Sequence, residues 1–261
     1  MKIPLVKTVL VTGATSGIGK ATATIFAKNG YNVIITGRRK ERLNELKEKL
    51  TRKYGVEILA LNFDIRDHQA VKKAWKSMKG NWKNIDVLVN NAGLAKGLSP
   101  IHEGDTEHWE TMIDTNIKGL LYITRLVTPG MVERKSGFVI NVCSSAGHEV
   151  YPKGNVYSAT KFAVDALTRS MRLDLYTHGI RVGQVSPGHV EETEFALVRF
   201  DGDASRASIY QDFKPLRSKD VADAIYYMAS RPKHVNIQDI HMFSTQQAGS
   251  NFIDRSGRTD I

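Results

Sequence analysis

The 261-residue sequence holds a single cysteine, Cys143, so no internal disulfide can support its fold. It has only seven prolines and no repeat or low-complexity tract, which excludes a solenoid or a disordered scaffold. No apolar run approaches the roughly twenty residues that cross a bilayer. No charged-then-apolar leader opens the chain, and with the lone thiol this sets the expectation of a cytoplasmic protein without a membrane partner. The eight histidines lack HxxxH or cysteine-paired spacing, so no metal site is expected. There is also no Gly-x-Ser-x-Gly elbow, which argues against a hydrolase.

What is present suits one enzyme-sized unit, since 41% hydrophobic residues over this length are enough for a core. Runs with β character alternate with helical spacing along the chain. The runs are Val9–Thr12, Tyr31–Thr36, Glu57–Phe63, Ile85–Val89, Gly137–Cys143, Ile180–Val185 and Val235–Phe243. Between them Leu43/Leu46/Leu50, Ala70/Val71/Ala74/Met78 and Val221/Ala224/Ile225/Met228 repeat with helical period. Such alternation predicts an α/β fold with a doubly wound, seven-stranded parallel sheet and helices on both faces. Ligands then bind beyond the carboxyl ends of the strands, where the strand order reverses. We expect one catalytic domain over residues 1–248, a substrate loop at about 189–215 and a loose tail from 249 to 261.

The first run ends in Gly13-Ala-Thr15-Ser16-Gly17-Ile18-Gly19, after which Ile18, Ala21 and Ile25 share a helix face. Glycines between a strand and a helix let backbone approach a pyrophosphate, and the helix N-terminus supplies amide donors. The spacing is GxxxGxG, not the GxGxxG of the usual dinucleotide fingerprint. The second run ends at Gly37-Arg38-Arg39, where an acid would select NAD and an arginine accepts the 2′-phosphate of NADP. No acid stands there. Half of the net charge of +10 lies between residues 38 and 53, with eight Lys or Arg against three Glu. Lys47, Lys49, Arg52 and Lys53 read as a solvated helix face. Arg38, Arg39 and Lys40 do not, because cations at a helix start oppose its dipole and so require an anion nearby. With no zinc-finger, helix-turn-helix or stacking signature, nucleic acid is not the expected anion.

Tyr157 and Lys161 are four apart in a helix-periodic segment, which places the phenol and the ammonium on one face. A phenol titrates near 10 in water and is a poor base at neutral pH. A cation about 4 Å away stabilises phenolate by up to roughly 4 kcal/mol at an effective dielectric of 20, equivalent to about three pKa units. The pair therefore suits general acid–base catalysis. Cys143 has no base or cation beside it in sequence and reads as a buried strand thiol.

The Gly13–Gly19 turn, Asn90-Asn91-Ala92-Gly93, Asn116, Ser144 and Tyr157-xxx-Lys161 together resemble the short-chain dehydrogenase/reductase family, over about residues 7 to 241. The resemblance implies a catalytic tetrad of Asn116, Ser144, Tyr157 and Lys161, with Ser144 chosen over Ser145 by family spacing and Asn116 holding a relay water. It implies NADP contacts from Gly13, Thr15, Ser16, Gly17, Ile18, Gly19, Arg38 and Arg39. Asp64, Ile65, Asn91, Ala92 and Gly93 would meet the adenosine side, although Asp64 and the Asn-Asn-Ala-Gly turn also have structural readings. Tyr157, Lys161, Pro187, Gly188, Val190 and Thr193 would meet the nicotinamide side, in a loop one residue longer than the family pattern. Ser144 and Tyr157 would hold the substrate oxygen. Segments 36–43, 155–161 and 193–200 look like the NADP-dependent 3-hydroxy acid dehydrogenase branch, which oxidises serine, allo-threonine and related acids. 3-Oxoacyl-carrier-protein reductases and hydroxysteroid dehydrogenases share the core motifs, and an NADPH-sensing module is the non-enzymatic alternative. Arg199, Lys153, His148 and His189 are the cations expected near a substrate carboxylate. Family members are usually homotetramers packed through helices near 106–133 and 155–177.

Overall fold

The computed structural model describes residues 6–207 and 212–257. Residues 208–211 of the expected substrate loop and 258–261 of the expected tail lie outside the described residues.

Short β-branched runs form the strands β1 (Thr8–Val11), β2 (Asn32–Gly37), β3 (Ile58–Asn62), β4 (Val87–Asn90), β5 (Gly137–Val142) and β6 (Ile180–Pro187). Two short strands follow, β7 (Val190–Glu191) and β8 (Leu216–Arg217), and then β9 (Asp239–Met242). Seven of these make a parallel sheet in the order β3-β2-β1-β4-β5-β6-β9, as the alternating pattern requires. β7 and β8 form a separate two-stranded parallel ladder, with Val190 opposite Leu216.

The helices are α1 (Gly17–Lys28), α2 (Lys40–Tyr54), α3 (His68–Ser77), α4 (Thr106–Ile113), α5 (Leu120–Arg134), α6 (Asn155–Leu175), α7 (Phe195–Arg199), α8 (Ala204–Ala207) and α9 (Ser218–Ser230). Alternate strand residues serve opposite faces, as the period of two demands. Val9, Val11, Val33, Ile35, Val87 and Val89 pack with Phe26, Leu43, Leu50 and Ile225 of α1, α2 and α9. Leu10, Ile34, Leu88 and Val139 pack instead with Val71, Ile123, Val127, Met131 and Val164 of α3, α5 and α6. Each fully buried aliphatic side chain contributes about 1.5–3 kcal/mol to the fold.

Helix ends are set locally. Asp67 accepts from the amides of Gln69 (2.8 Å) and Ala70 (3.0 Å) to start α3, and Asp105 accepts from Glu107 N at 2.8 Å to start α4. Gly55, at φ +67°, closes α2. Between α4 and α5 the helix widens into a π turn over Asp114–Gly119, the segment that carries Asn116. No described helix is long and apolar enough to cross a membrane. The start of the expected tail is tied down: Ser250 N donates to Glu149 Oε1 at 2.6 Å, and Gln247 bridges Ile253.

Candidate active site

β1 and β4 are neighbours in the sheet although β2 and β3 separate them in sequence, and the order reverses at this point. A cleft opens at the strands' carboxyl ends. The expected site residues line it, with two exceptions, Gly19 and Asn116.

Gly19 lies behind the turn. A Cβ there would come within 2.4 Å of both Gly13 O and Asn91 Nδ2, so its absence lets α1 pack against the loop after β4. Asn91 holds the two loops together, donating to Thr12 O at 2.8 Å and Gly13 O at 3.2 Å. Thr12 Oγ1 accepts from the amides of Asn91 and Ala92 at 3.0 and 2.9 Å. Thus Asn91 and Ala92 reach the cleft as part of a tied double turn. Thr193 stands over Gly17, where a Cβ would meet its Cγ2 at 3.1 Å.

The basic end of the cleft has an occupant the sequence did not reveal. Glu194 accepts from Arg39 at 2.5 Å and from Arg42 at 2.6 Å. Arg39 also donates to Thr15 Oγ1 (2.7 Å) and Ser16 Oγ (3.0 Å). The anion demanded by the cations at the start of α2 is therefore supplied in part by the chain itself. Burial raises the Glu194 carboxyl, but hydrogen bonds from Arg42, Arg39 and Ser16 overcome it and leave the group at about 2. Arg38 remains exposed, 4.0 Å from Asp64. Asp64 is engaged mainly by Arg66, which donates at 2.7 Å. Burial opposes ionisation of Asp64, yet the Arg66 bonds hold it below the usual carboxylate range.

At the other end, β5 delivers Ser144 and α6 delivers Tyr157 and Lys161. Burial pushes the Tyr157 phenol up to about 12, against the lowering influence of the Ser144 hydrogen bond and the Arg199 charge. This corrects the expectation that Lys161 would depress it. The ammonium is 5.9 Å from the ring centre and donates to Val142 O at 3.0 Å, because a buried cation must find an acceptor. Burial lowers the Lys161 pKa in turn. Ser145 Oγ accepts from Ser250 Oγ at 3.0 Å.

Asn116 sits behind the cleft, buried at 2% exposure. Its Oδ1 accepts from Leu94 N at 2.9 Å, and its Nδ2 donates to Leu94 O at 2.8 Å and Thr160 Oγ1 at 3.0 Å. The side chain is thereby committed to holding the loop after β4 against α6. Cys143 is buried, donates weakly to Lys161 O at 3.4 Å and has its thiol pushed up by burial, as expected of an inert strand thiol.

The four candidate cations separate clearly. Lys153 is exposed, at φ +64°. His148 is bonded to Ser186 Oγ at 2.9 Å and stacked on His241, with Asp239 at 3.3 Å. His189 accepts from Gln247 Nε2 at 2.6 Å, and burial holds its pKa down. Of the four, His189 and Arg199 line the cleft, and Arg199 is the buried guanidinium among them. Tyr151, Phe195, Val198 and Ser250 also line the cleft, and only their proximity in space reveals it.

The sequence profile of the short chain dehydrogenases matches residues 7–202. The chain belongs to the short-chain dehydrogenase family. It is an oxidoreductase of the class that acts on CH–OH groups. It is similar to the NADP-dependent 3-hydroxy acid dehydrogenase of Escherichia coli K12, at 46% identity over 92% of this chain and 96% of that protein. It is also similar to sulfoacetaldehyde reductase 2 of Chromohalobacter salexigens, at 44% identity over 95% and 98%. Among solved structures, the closed form of serine dehydrogenase complexed with NADP+ superposes with a TM-score of 0.89 at 46% identity, covering 92% of this dehydrogenase and 96% of that chain.

Proposed function

We propose that this dehydrogenase interconverts a small 3-hydroxy acid of the serine, allo-threonine or 3-hydroxyisobutyrate type and its 3-oxo acid, with NADP as cofactor. The observation that carries this reading is a buried Tyr157 phenol that lines, with Ser144 and Lys161, a cleft whose far end is basic. The cleft fits NADP. Gly13, at φ +66°, lies so close to the loop after β4 that a Cβ on it would stand 2.9 Å from Ala92 Cα, and α1 begins beside it with no acid in its first turn. Arg38 and Arg39 stand where the 2′-phosphate would lie, and no carboxylate ends β2. Gly13 through Ile18 would hold the pyrophosphate, Asp64 and Ile65 the adenosine side, and Pro187, Gly188, Val190 and Thr193 the nicotinamide side. When bound, NADP takes up or returns the hydride of the carbinol carbon.

The protein's own residues manage the proton. With its pKa near 12 the phenol is protonated at neutral pH, the form that donates to a carbonyl oxygen during reduction. In oxidation the same oxygen receives the hydroxyl proton, and the lowering influences of Ser144 and Arg199 assist it. Ser144 orients the substrate oxygen and stabilises charge developing on it. Lys161 would hold the nicotinamide ribose and add positive charge when drawn from Val142 O. A proton relay through Asn116 would use its main-chain carbonyl, since its side-chain amide is committed to Leu94 and Thr160.

Leu121, Phe162 and Leu173 lie exposed on α5 and α6, which supports homotetramer packing through these helices. The testing experiment follows NADP reduction by absorbance with serine, allo-threonine, 3-hydroxyisobutyrate, a β-hydroxyacyl thioester and a steroid alcohol. Turnover of the hydroxy acids above the other two supports the reading, and preference for the thioester or the steroid replaces it.

A further inference from the structure

Arg199 is the last residue of α7 and only 7% exposed. Its main chain and side chain are both clamped to the loop after β4: Gly97 N donates to Arg199 O at 2.8 Å, and Arg199 Nε donates to Gly97 O at 3.1 Å. Nη2 donates to the Tyr151 hydroxyl at 2.9 Å. Toward the cleft its setting is aromatic and apolar, with the guanidinium carbon 5.4 Å from the Tyr151 ring centre and 5.8 Å from that of Tyr157, beside Phe195 and Val198, while its other side borders a second, polar cavity shared with His108, Asn155 and Asp201. No carboxylate among the described residues pairs with it. Asp201, two residues on, is instead bonded to Lys96 and lies 3.5 Å from His108. A guanidinium has five N–H donors, and a carbonyl and a phenol take two of them. Burying such a charge without a counter-ion is costly, so the fold keeps Arg199 here at the expense of stability.

The geometry points to Arg199 as the receptor for the acid group of the substrate, with Tyr151 fixing its plane; this rests on the hydroxy-acid reading of the same cleft. Its ligand is a small organic anion, carboxylate or sulfonate, carried a few bonds from the carbinol carbon. The fork geometry favours an acid group that presents two oxygens at once and disfavours esters and thioesters, which carry no negative charge to share between two oxygens.

The test compares 3-hydroxyisobutyrate with its methyl ester, which has the same carbinol and no charge, as substrates of the wild type, Arg199→Met and Arg199→Lys. The acid-to-ester ratio of kcat/KM falls about thirty-fold or more in Arg199→Met and recovers in part in Arg199→Lys. An unchanged ratio, with both substrates declining together, makes Arg199 a brace for α7 and overturns the proposal. Calorimetric titration of malonate into the NADP-saturated protein gives a second readout. Binding by the wild type that is lost in Arg199→Met supports the receptor, and no binding by the wild type, or equal binding by both, overturns it. Isethionate turnover that collapses in Arg199→Met identifies sulfonate as an accepted anion. If the wild type oxidises neither 3-hydroxyisobutyrate nor its ester, the proposed function fails, while the malonate titration still decides whether Arg199 is an anion receptor.

Discussion

Glu194 on the loop before α7 grips Arg39 at the start of α2 across 2.5 Å, joining these two elements beside the cleft. Its carboxyl is held at about 2, below the ordinary 4.5, so the contribution to stability is fully present above pH 4.5 and is lost as the pH falls toward 2. The melting-temperature difference between the wild type and Glu194→Gln is therefore flat above about pH 5 and shrinks with acidification. A difference that grows as the pH drops contradicts the pairing.

Arg38 is the exposed member of the same basic group, with Asp64 at 4.0 Å as its only ion pair among the described residues. Arg38→Ala weakens NADP binding by about 1.5–3 kcal/mol, the worth of a hydrogen bond to a charged group, and leaves NAD affinity almost unchanged. Fluorescence titration with both cofactors checks this. Equal weakening of the two would remove the 2′-phosphate from this position.

Gly19→Ala forces a Cβ to within 2.4 Å of Gly13 O, a backbone atom that cannot rotate away. The expected destabilisation is about 1–3 kcal/mol by chemical denaturation, with reduced NADP affinity because α1 and the Gly-rich turn move apart. Undiminished stability would show that the turn tolerates a side chain behind it.

Asn116→Ala strips both partners from the main chain of Leu94 and one from Thr160. The variant loses about 1–3 kcal/mol of stability for the buried groups left unpaired, and turnover falls with it. Denaturation curves and kcat measured together check the two effects.

The sheet was legible because buried parallel strands must be apolar and short, and Val, Ile and Leu cluster in β1 to β6, whereas the edge strand β9 (Asp239–Met242) is only partly buried. The cleft was legible where a motif is contiguous, as in Gly13–Gly19, or set by helical spacing, as in Tyr157 and Lys161. The β7–β8 ladder was not, because two residues give no period to read. Nor was the Glu194–Arg39 pair, which joins positions 155 residues apart. The direction of the Tyr157 shift escaped for a related reason: spacing reveals that a cation is near but neither how deeply the phenol is buried nor that Val142 O draws the ammonium aside. Among four candidate cations, only their partners in space separated Arg199 from the rest.

The central claim is that the Tyr157 oxygen carries the proton in hydride exchange with NADP, and Tyr157→Phe tests it most directly. The hydroxyl is removed while the ring stays packed edge-on against Phe195, 5.5 Å between centres. Single-turnover oxidation of 3-hydroxyisobutyrate, measured beside an NADPH binding titration, is predicted to collapse by about a hundredfold or more with cofactor affinity intact. Near-normal turnover in that variant would contradict the account.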